Sequence, residues 1–257
     1  RRIRVIPTLL IDGRGRLVKT IRFGKRTYIG DPINAVKIFN TKEVDELILL
    51  DIDAARENRT PNYALIEDIV SEAFMPVGYG GGIASMESVA RLYKCGIEKV
   101  VLSSVLAEGT SLIAEAAARY GAQAVVVCLP VKKSLFGSAK VATHGGSRSL
   151  GLTPTAAAAA AVTAGAGEII VYSIDRDGTY SGYDAALLQE VALAVTVPVV
   201  ACGGARNLDD FVAAVREGHA SAVAAGSMFV YQSERRGVLI SYPTQAALTE
   251  QVFRRLA

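Results

Sequence analysis

Glu46–Ile69, ELILLDIDAARENRTPNYALIEDI, and Glu168–Val191, EIIVYSIDRDGTYSGYDAALLQEV, are two versions of one unit. Each opens on a glutamate, runs through a short apolar stretch, meets two nearby aspartates, and continues as a helical pattern. A second pair keeps the same offset. Met75–Gly96, MPVGYGGGIASMESVARLYKCG, matches Val197–Gly218, VPVVACGGARNLDDFVAAVREG, again 122 residues further on. A chain of 257 residues that repeats itself once at this spacing reads as one domain of two fused halves, about 1–121 and 122–257.

Working outward, eight apolar runs rich in β-branched residues read as strands: 4–10, 46–51, 76–80, 98–103, 123–129, 168–173, 198–202 and 221–225. Between them stand helical patterns such as SMESVARLYKCG and NLDDFVAAVREG, with Ser, Thr, Asp or Asn at the start and Gly near the end. Nearly continuous apolar strands describe a parallel sheet covered on its faces by helices. Eight such units in this length give the α/β class and a (β/α)8 TIM barrel, and the internal two-fold repeat favours closure over a doubly wound open sheet. The alanine run at 156–161 reads as a tightly packed helix face.

Composition narrows the function. Charged residues make up 21% of the chain with a net charge of +3, and there is no Lys/Arg-rich run, so nucleic acid is not the expected partner. No apolar run approaches the ~18 residues of a membrane span. The opening RRIRVIPTLL reads as a first strand rather than a signal peptide. Cys95, Cys128 and Cys202 are far apart and show no CxxC spacing, so they read as reduced buried thiols of a cytoplasmic protein, with no metal site and no cofactor expected.

Chemistry in such barrels concentrates in the loops after the strand C-termini. Gly81 and Gly82, with Ser103 and Ser104, form one candidate anion site; Gly203 and Gly204, with Gly226 and Ser227, form its counterpart. Glycines let backbone N–H groups approach a phosphate, and a following helix N-terminus adds a favourable dipole. Two matched sets suggest a ligand with two phosphates, the second set offering more free backbone. Asp51 and Asp53, and their counterparts Asp175 and Asp177, end equivalent strands, where they could bind hydroxyls or cap loops. His144 and His219 stand alone and read as structural or exposed.

These pieces resemble one family. GRLVK (15–19), VDELILLDIDA (44–54), GGGI (80–83), GAQAVVV (121–127), SIDRDGTYSGYD (173–184) and ACGGA (201–205) are similar to the cyclase subunit of imidazole glycerol phosphate synthase, and the likeness covers essentially the whole chain. It implies a ribulose-phosphate-binding type of barrel, a heterodimer with a glutaminase subunit, ammonia passing through the barrel, and a phosphorylated small molecule as ligand. It adds Lys19, Asp177 and Thr179 to the ligand-binding candidates. A gate of Arg4, Glu46, Lys99 and Glu168 is implied at the N-terminal end, with Glu98 and Gln123 facing the glutaminase.

The departures from the family pattern carry as much information. Its two catalytic aspartates fall at Leu10 and Pro130, in TLLI and VCLPVK, where neither side chain can move a proton. Pro130 is expected at a strand end, and Asp12, two residues beyond Leu10, is the possible substitute acid. LLDIDA, FMPVGYGGGI and VLISYP resemble paralogues associated with surface-polysaccharide genes. That resemblance implies an ammonia-conducting subunit serving a sugar amidotransferase that makes acetamidino groups. The alternatives are a histidine-biosynthesis cyclase and a non-catalytic scaffold that binds a phosphate metabolite.

Overall fold

The computed structural model describes residues 1–134, 137–232 and 237–257. The barrel strands are β1 (Arg4–Ile11), β4 (Leu47–Asp51), β5 (Val77–Gly80), β6 (Lys99–Leu102), β7 (Val125–Lys133), β10 (Glu168–Ser173), β11 (Val199–Cys202) and β12 (Ala222–Ala225). They pair parallel in this order, β12 pairs with β1 and β7 with β10, so the sheet closes. The molecule is a (β/α)8 TIM barrel. Two hairpins extend its C-terminal mouth: β2 (Leu17–Thr20) with β3 (Arg26–Gly30), and β8 (Ala139–Thr143) with β9 (Arg148–Ser149). The periodicity of the barrel strands gives no sign of either hairpin.

Strand alternation sorts the side chains into two layers. Ile6, Ile48, Val101, Val126, Ile170 and Val200 fill the lumen together with Cys128, Tyr172 and Cys202. Their neighbours in sequence, among them Val5, Leu49, Val100, Val127 and Val171, point outward against the helices. Full burial of one such side chain stabilises the fold by about 1.5–3 kcal/mol, so truncating Val127 or Leu49 to alanine would weaken a barrel wall that the helices cover.

The helices begin where the sequence supplies a cap. Asp31 accepts from the Asn34 N–H before α1 (Pro32–Asn40), and Pro32 fits the first turn, where no N–H partner is needed. Asn62 caps α2 (Tyr63–Glu72), and Ser85 caps α3 (Met86–Lys94), which is followed by α4 (Ser111–Tyr120). Thr153 caps α5 (Pro154–Thr163), where Ala157, Ala158 and Ala161 are buried and their small side chains let the helix lie close to the barrel. Asp184 caps α6 (Ala185–Ala194). A full capping box starts α7 (Leu208–Arg216), the Asn207 side chain accepting from Asp210 N–H and the Asp210 side chain from Asn207 N–H. A short helix, α8 (Ser227–Val230), follows β12, and α9 (Gln245–Leu248) begins the C-terminal segment. Among the described residues no helix is long and apolar enough to cross a membrane.

Pro130 does not end its strand. It pairs in register with Tyr172 inside β7, which runs on to Lys133 to join β8. Gly167 and Ile174 donate to the carbonyls of Val125 and Val131, so odd positions of β7 face β10 and Pro130 faces the other edge. There β6 pairs only as far as Val127. The missing N–H therefore falls where no barrel strand remains to accept it.

Candidate functional site

At the N-terminal end, four charges share one cluster. Lys99 Nζ lies 2.9 Å from both Glu46 carboxylate oxygens and 3.1 Å from Glu168 Oε2. The Arg4 guanidinium donates to both Glu46 and Glu168. Burial would lower the Arg4 pKa, yet the two carboxylates outweigh it and hold the group protonated. Two cations against two buried anions leave no uncompensated charge, the condition under which ions are tolerated inside a protein. All four side chains stand at strand starts with the parity of the lumen residues, so they cap an apolar bore. Glu98 and Gln123 are exposed on this same end.

At the opposite end lies a cavity of about 510 Å³. Its floor is Leu10, Leu50, Val101, Cys128, Pro130 and Tyr172, and its sides include Gly81, Gly82, Ser103 and Ser104. Leu10 and Pro130 thus face one space, and neither offers a titratable group. Gly82 is required by its turn as well as available to a ligand: its φ is +68°, and a Cβ there would stand 2.4 Å from the Arg59 carbonyl oxygen.

The cavity rim holds residues that the sequence did not place at the site. Arg26, Arg56, Arg59 and His144 all line it. Arg26 comes from β3 and His144 follows β8, so the unforeseen hairpins deliver both. His144 is half-buried with φ +53°, its ring Nδ1 3.1 Å from Thr143 Oγ1, rather than remote from the site; His219 is exposed. The dipeptide "TH" carries no signal that would have placed His144 there.

The aspartates divide into separate roles. Asp51 Oδ1 accepts from the N–H groups of Asp53 and Ala54, and Arg59 pairs with its carboxylate at 3.4 Å. Burial raises its pKa against these donors. Asp53 binds Arg26 through two 2.6 Å hydrogen bonds and accepts from Gly13 N–H. Burial alone would raise Asp53, but the Arg26 contacts prevail and hold its carboxyl below the usual range. Asp175 accepts from Lys133 N–H at 2.8 Å.

Asp12 does not stand in for the missing acid. The chain turns at the end of β1, and the Asp12 carboxylate accepts from Arg16 and from the N–H of Arg14 and Arg16. Burial opposes ionisation, but these donors together lower its pKa. It is not among the cavity residues, and a carboxylate held so firmly as an anion is a poor proton donor near neutrality.

The second glycine set sits differently from the first. Gly203, Gly204 and Ser227 are buried and Gly226 is half-exposed, whereas Gly81, Gly82, Ser103 and Ser104 are all half-exposed at the cavity. Lys19 is also buried, and a Cβ at Gly226 would fall 1.9 Å from its Nζ. Burial lowers the Lys19 pKa, with Asp177 opposing. The Asp177 carboxylate accepts from the Thr20 hydroxyl at 2.6 Å, the Tyr172 hydroxyl at 2.9 Å and the Phe23 N–H at 3.4 Å. Thr179 bonds to the Arg176 carbonyl at 2.8 Å within the same turn. None of Lys19, Asp177, Thr179 or the second glycine set lines the large cavity.

The loop between β2 and β3 completes this arrangement under strain. Arg22 and Phe23 both have positive φ, +52° and +58°, a conformation that costs about 1–3 kcal/mol per non-glycine residue. The Asp177 carbonyl holds Arg22 N–H at 2.9 Å, and the Phe23 ring meets Tyr172 edge-on with centroids 4.8 Å apart.

The comparisons with known proteins agree with this geometry. The family model described as "Histidine biosynthesis protein" matches residues 4–235. A protein of Pseudomonas aeruginosa named "Putative imidazole glycerol phosphate synthase subunit hisF2" is 48% identical over 94% of this chain and 96% of its own length. One of Vibrio vulnificus, with the same name but designated hisF3, is 46% identical over 95% of this chain and 94% of its own. One of Leptospira interrogans, designated HisF, is 44% identical over 94% and 95%. By these likenesses the chain belongs to the histidine biosynthesis protein family, among its cyclase-subunit paralogues.

Proposed function

We propose that this chain is the barrel subunit of a two-chain glutamine amidotransferase. A glutaminase subunit docks on the N-terminal face beside Glu98 and Gln123 and releases ammonia. The ammonia passes through the barrel to serve the acetamidino modification of a surface-polysaccharide sugar by a sugar amidotransferase. The barrel itself no longer cyclises.

The observation that carries this reading is the pairing of an intact charged ring at one end with a cavity at the other whose floor carries no carboxylate, Asp51 and Glu108 standing on its sides. Arg4, Glu46, Lys99 and Glu168 are all engaged, while the cavity presents Leu10 and Pro130 where proton transfer would occur. Ammonia crossing the ring enters a bore of Ile6, Ile48, Val126, Ile170 and Val200. An apolar bore keeps water out, so the neutral molecule escapes protonation on its way. Gly81, Gly82, Ser103 and Ser104 supply donors to a phosphate of the ligand, with Arg59 adding positive charge at the rim.

The names of the relatives favour a second reading, a working histidine-pathway cyclase, and the missing acid–base pair speaks against it. A non-catalytic scaffold that binds a phosphate metabolite is the third. Purification of the chain with its native partners separates them. Recovery of a glutaminase, with transfer of glutamine nitrogen to a sugar acceptor, supports the proposal. Growth of a histidine auxotroph on this chain would favour the cyclase, and absence of any glutaminase would favour the scaffold.

A further inference from the structure

We infer that the β2–β3 and β8–β9 hairpins form a cationic collar around the barrel mouth, on which the ammonia-accepting enzyme docks through an acidic surface. The inference rests on the proposed function in that it takes this enzyme to be a separate chain.

Positive charge is concentrated on these two hairpins. Segments 12–30 and 131–153, which contain them, hold ten of the chain's 28 Lys and Arg residues and one of its 25 acids. A chain of net charge +3 is therefore negative, in sum, outside them. Both hairpins border the cavity, one through Thr20, Phe23 and Arg26 and the other through His144 and Gly145.

The fold leaves part of this charge uncompensated. The nearby carboxylates already hold partners: Asp12 has Arg16, Asp53 has Arg26, Asp184 has Lys133 and Glu108 has Arg148. Among the described residues, no carboxylate pairs with Arg14, Lys25, Lys132 or Lys140, and the first three are exposed. Lys132 stands directly opposite Lys140 in the β7–β8 ladder, and Lys140 Nζ reaches only the Gly151 carbonyl, at 3.1 Å. Like charges so placed destabilise a strand pair. A carboxylate arriving from outside relieves that repulsion.

A protein fits this surface better than a lipid headgroup or a small anion. Tyr28 on β3 is 60% exposed, and the Arg16 guanidinium lies over its ring at 5.7 Å. Tyrosine and arginine are the residue types that anchor protein interfaces. Ammonia leaving the apolar bore enters a cavity whose Gly81, Gly82, Ser103 and Ser104 are half-exposed. Water there would protonate it, so its transfer needs a cover that excludes solvent. A protein seated on the collar supplies both the cover and the acceptor site.

Biolayer interferometry on the intact chain in complex with its glutaminase, with the purified sugar amidotransferase as probe, tests this. The association rate should fall about 10–100-fold when Lys25→Glu and Lys132→Glu are combined, and should also fall with added salt. Lys42→Glu, at the opposite end of the barrel, should leave it unchanged. Lys132→Glu sets an opposite charge across from Lys140, and glutaminase binding by the collar variant reports that it is folded. Association that ignores both salt and the collar substitutions would overturn the docking site and leave the glutaminase reading standing. Failure of the amidotransferase to bind a chain that does bind its glutaminase would do the same. Failure of both to bind would overturn the proposed function as well. Binding of the wild type to phosphatidylglycerol vesicles that the substitutions abolish, with amidotransferase association unchanged, would assign the collar to a membrane and overturn the proposal.

Discussion

Lys99 Nζ is equidistant, at 2.9 Å, from the two carboxylate oxygens of Glu46, and reaches Glu168 at 3.1 Å. One ammonium thus serves two buried acids, with Arg4 completing the charge balance. Lys99→Met should destabilise the protein by about 2–4 kcal/mol, because two buried carboxylates then share a single cation. Denaturant unfolding of wild type and variant checks this. Glu46→Gln in the Lys99→Met background should recover part of the loss, since it removes one of the orphaned charges. No recovery would mean that the ring is not electrostatically coupled.

Cyclisation should be nearly absent. A positioned acid or base contributes about 10²–10⁴-fold, and Leu10 and Pro130 face the cavity in place of both. With ammonia and the histidine-pathway substrate supplied directly, product formation should fall at least 10²-fold below that of a cyclase with both aspartates. Turnover near the full rate would mean that another group, such as His144 at the rim, has taken over.

The Arg26–Asp53 pair ties the β2–β3 hairpin to the loop after β4, and its effect should depend on pH. Asp53 is held below its ordinary pKa in the folded protein, so its contribution is present above the unfolded value near ~4 and is lost as pH falls through the folded value. Solvent at the partly exposed Arg26 screens the pair, leaving about 1 kcal/mol. Arg26→Met should therefore be less stable than wild type at pH 7 and should converge with it as acid protonates Asp53. A gap that widens toward acid would contradict the assignment.

The three thiols should resist modification in the native protein. Burial pushes the Cys128 thiol up to about 12 and that of Cys202 well above its usual value, while Cys95 is buried beside Glu67. Since thiolate is the reactive form, a thiol reagent at pH 8 should label none of them quickly and should label all three after unfolding. Rapid labelling of Cys128, on the cavity floor, would mean that burial does not hold its thiol protonated.

The barrel was legible because its signal is redundant. The 122-residue repeat, eight apolar runs and the caps at Asp31, Ser85 and Asn207 all point to one topology. Residues fixed by strand parity, such as Glu46 and Glu168, could be placed from the sequence together with the family resemblance. What stayed hidden depends on hairpins and turns. The β2–β3 turn uses left-handed Arg22 and Phe23 in place of the Asn-Gly or Asp-Gly pair that announces a hairpin, so nothing foretold Arg26 or Phe23 at the site. Asp12 keeps the parity of Leu10, but the chain bends between them and parity stops applying. The burial of Lys19 near Asp177 joins residues more than 150 positions apart, and no local pattern encodes it.

The proposed function stands or falls on the passage of ammonia through the ring. In the complex with its glutaminase and the sugar acceptor enzyme, Lys99→Ala should change glutamine-dependent product formation several-fold while ammonium salt supports the same rate as with wild type. The ammonium arm also reports whether the variant complex is folded. Equal losses with glutamine and with ammonium would mean that the ring matters to the assembly or to the acceptor chemistry and not to the passage of ammonia.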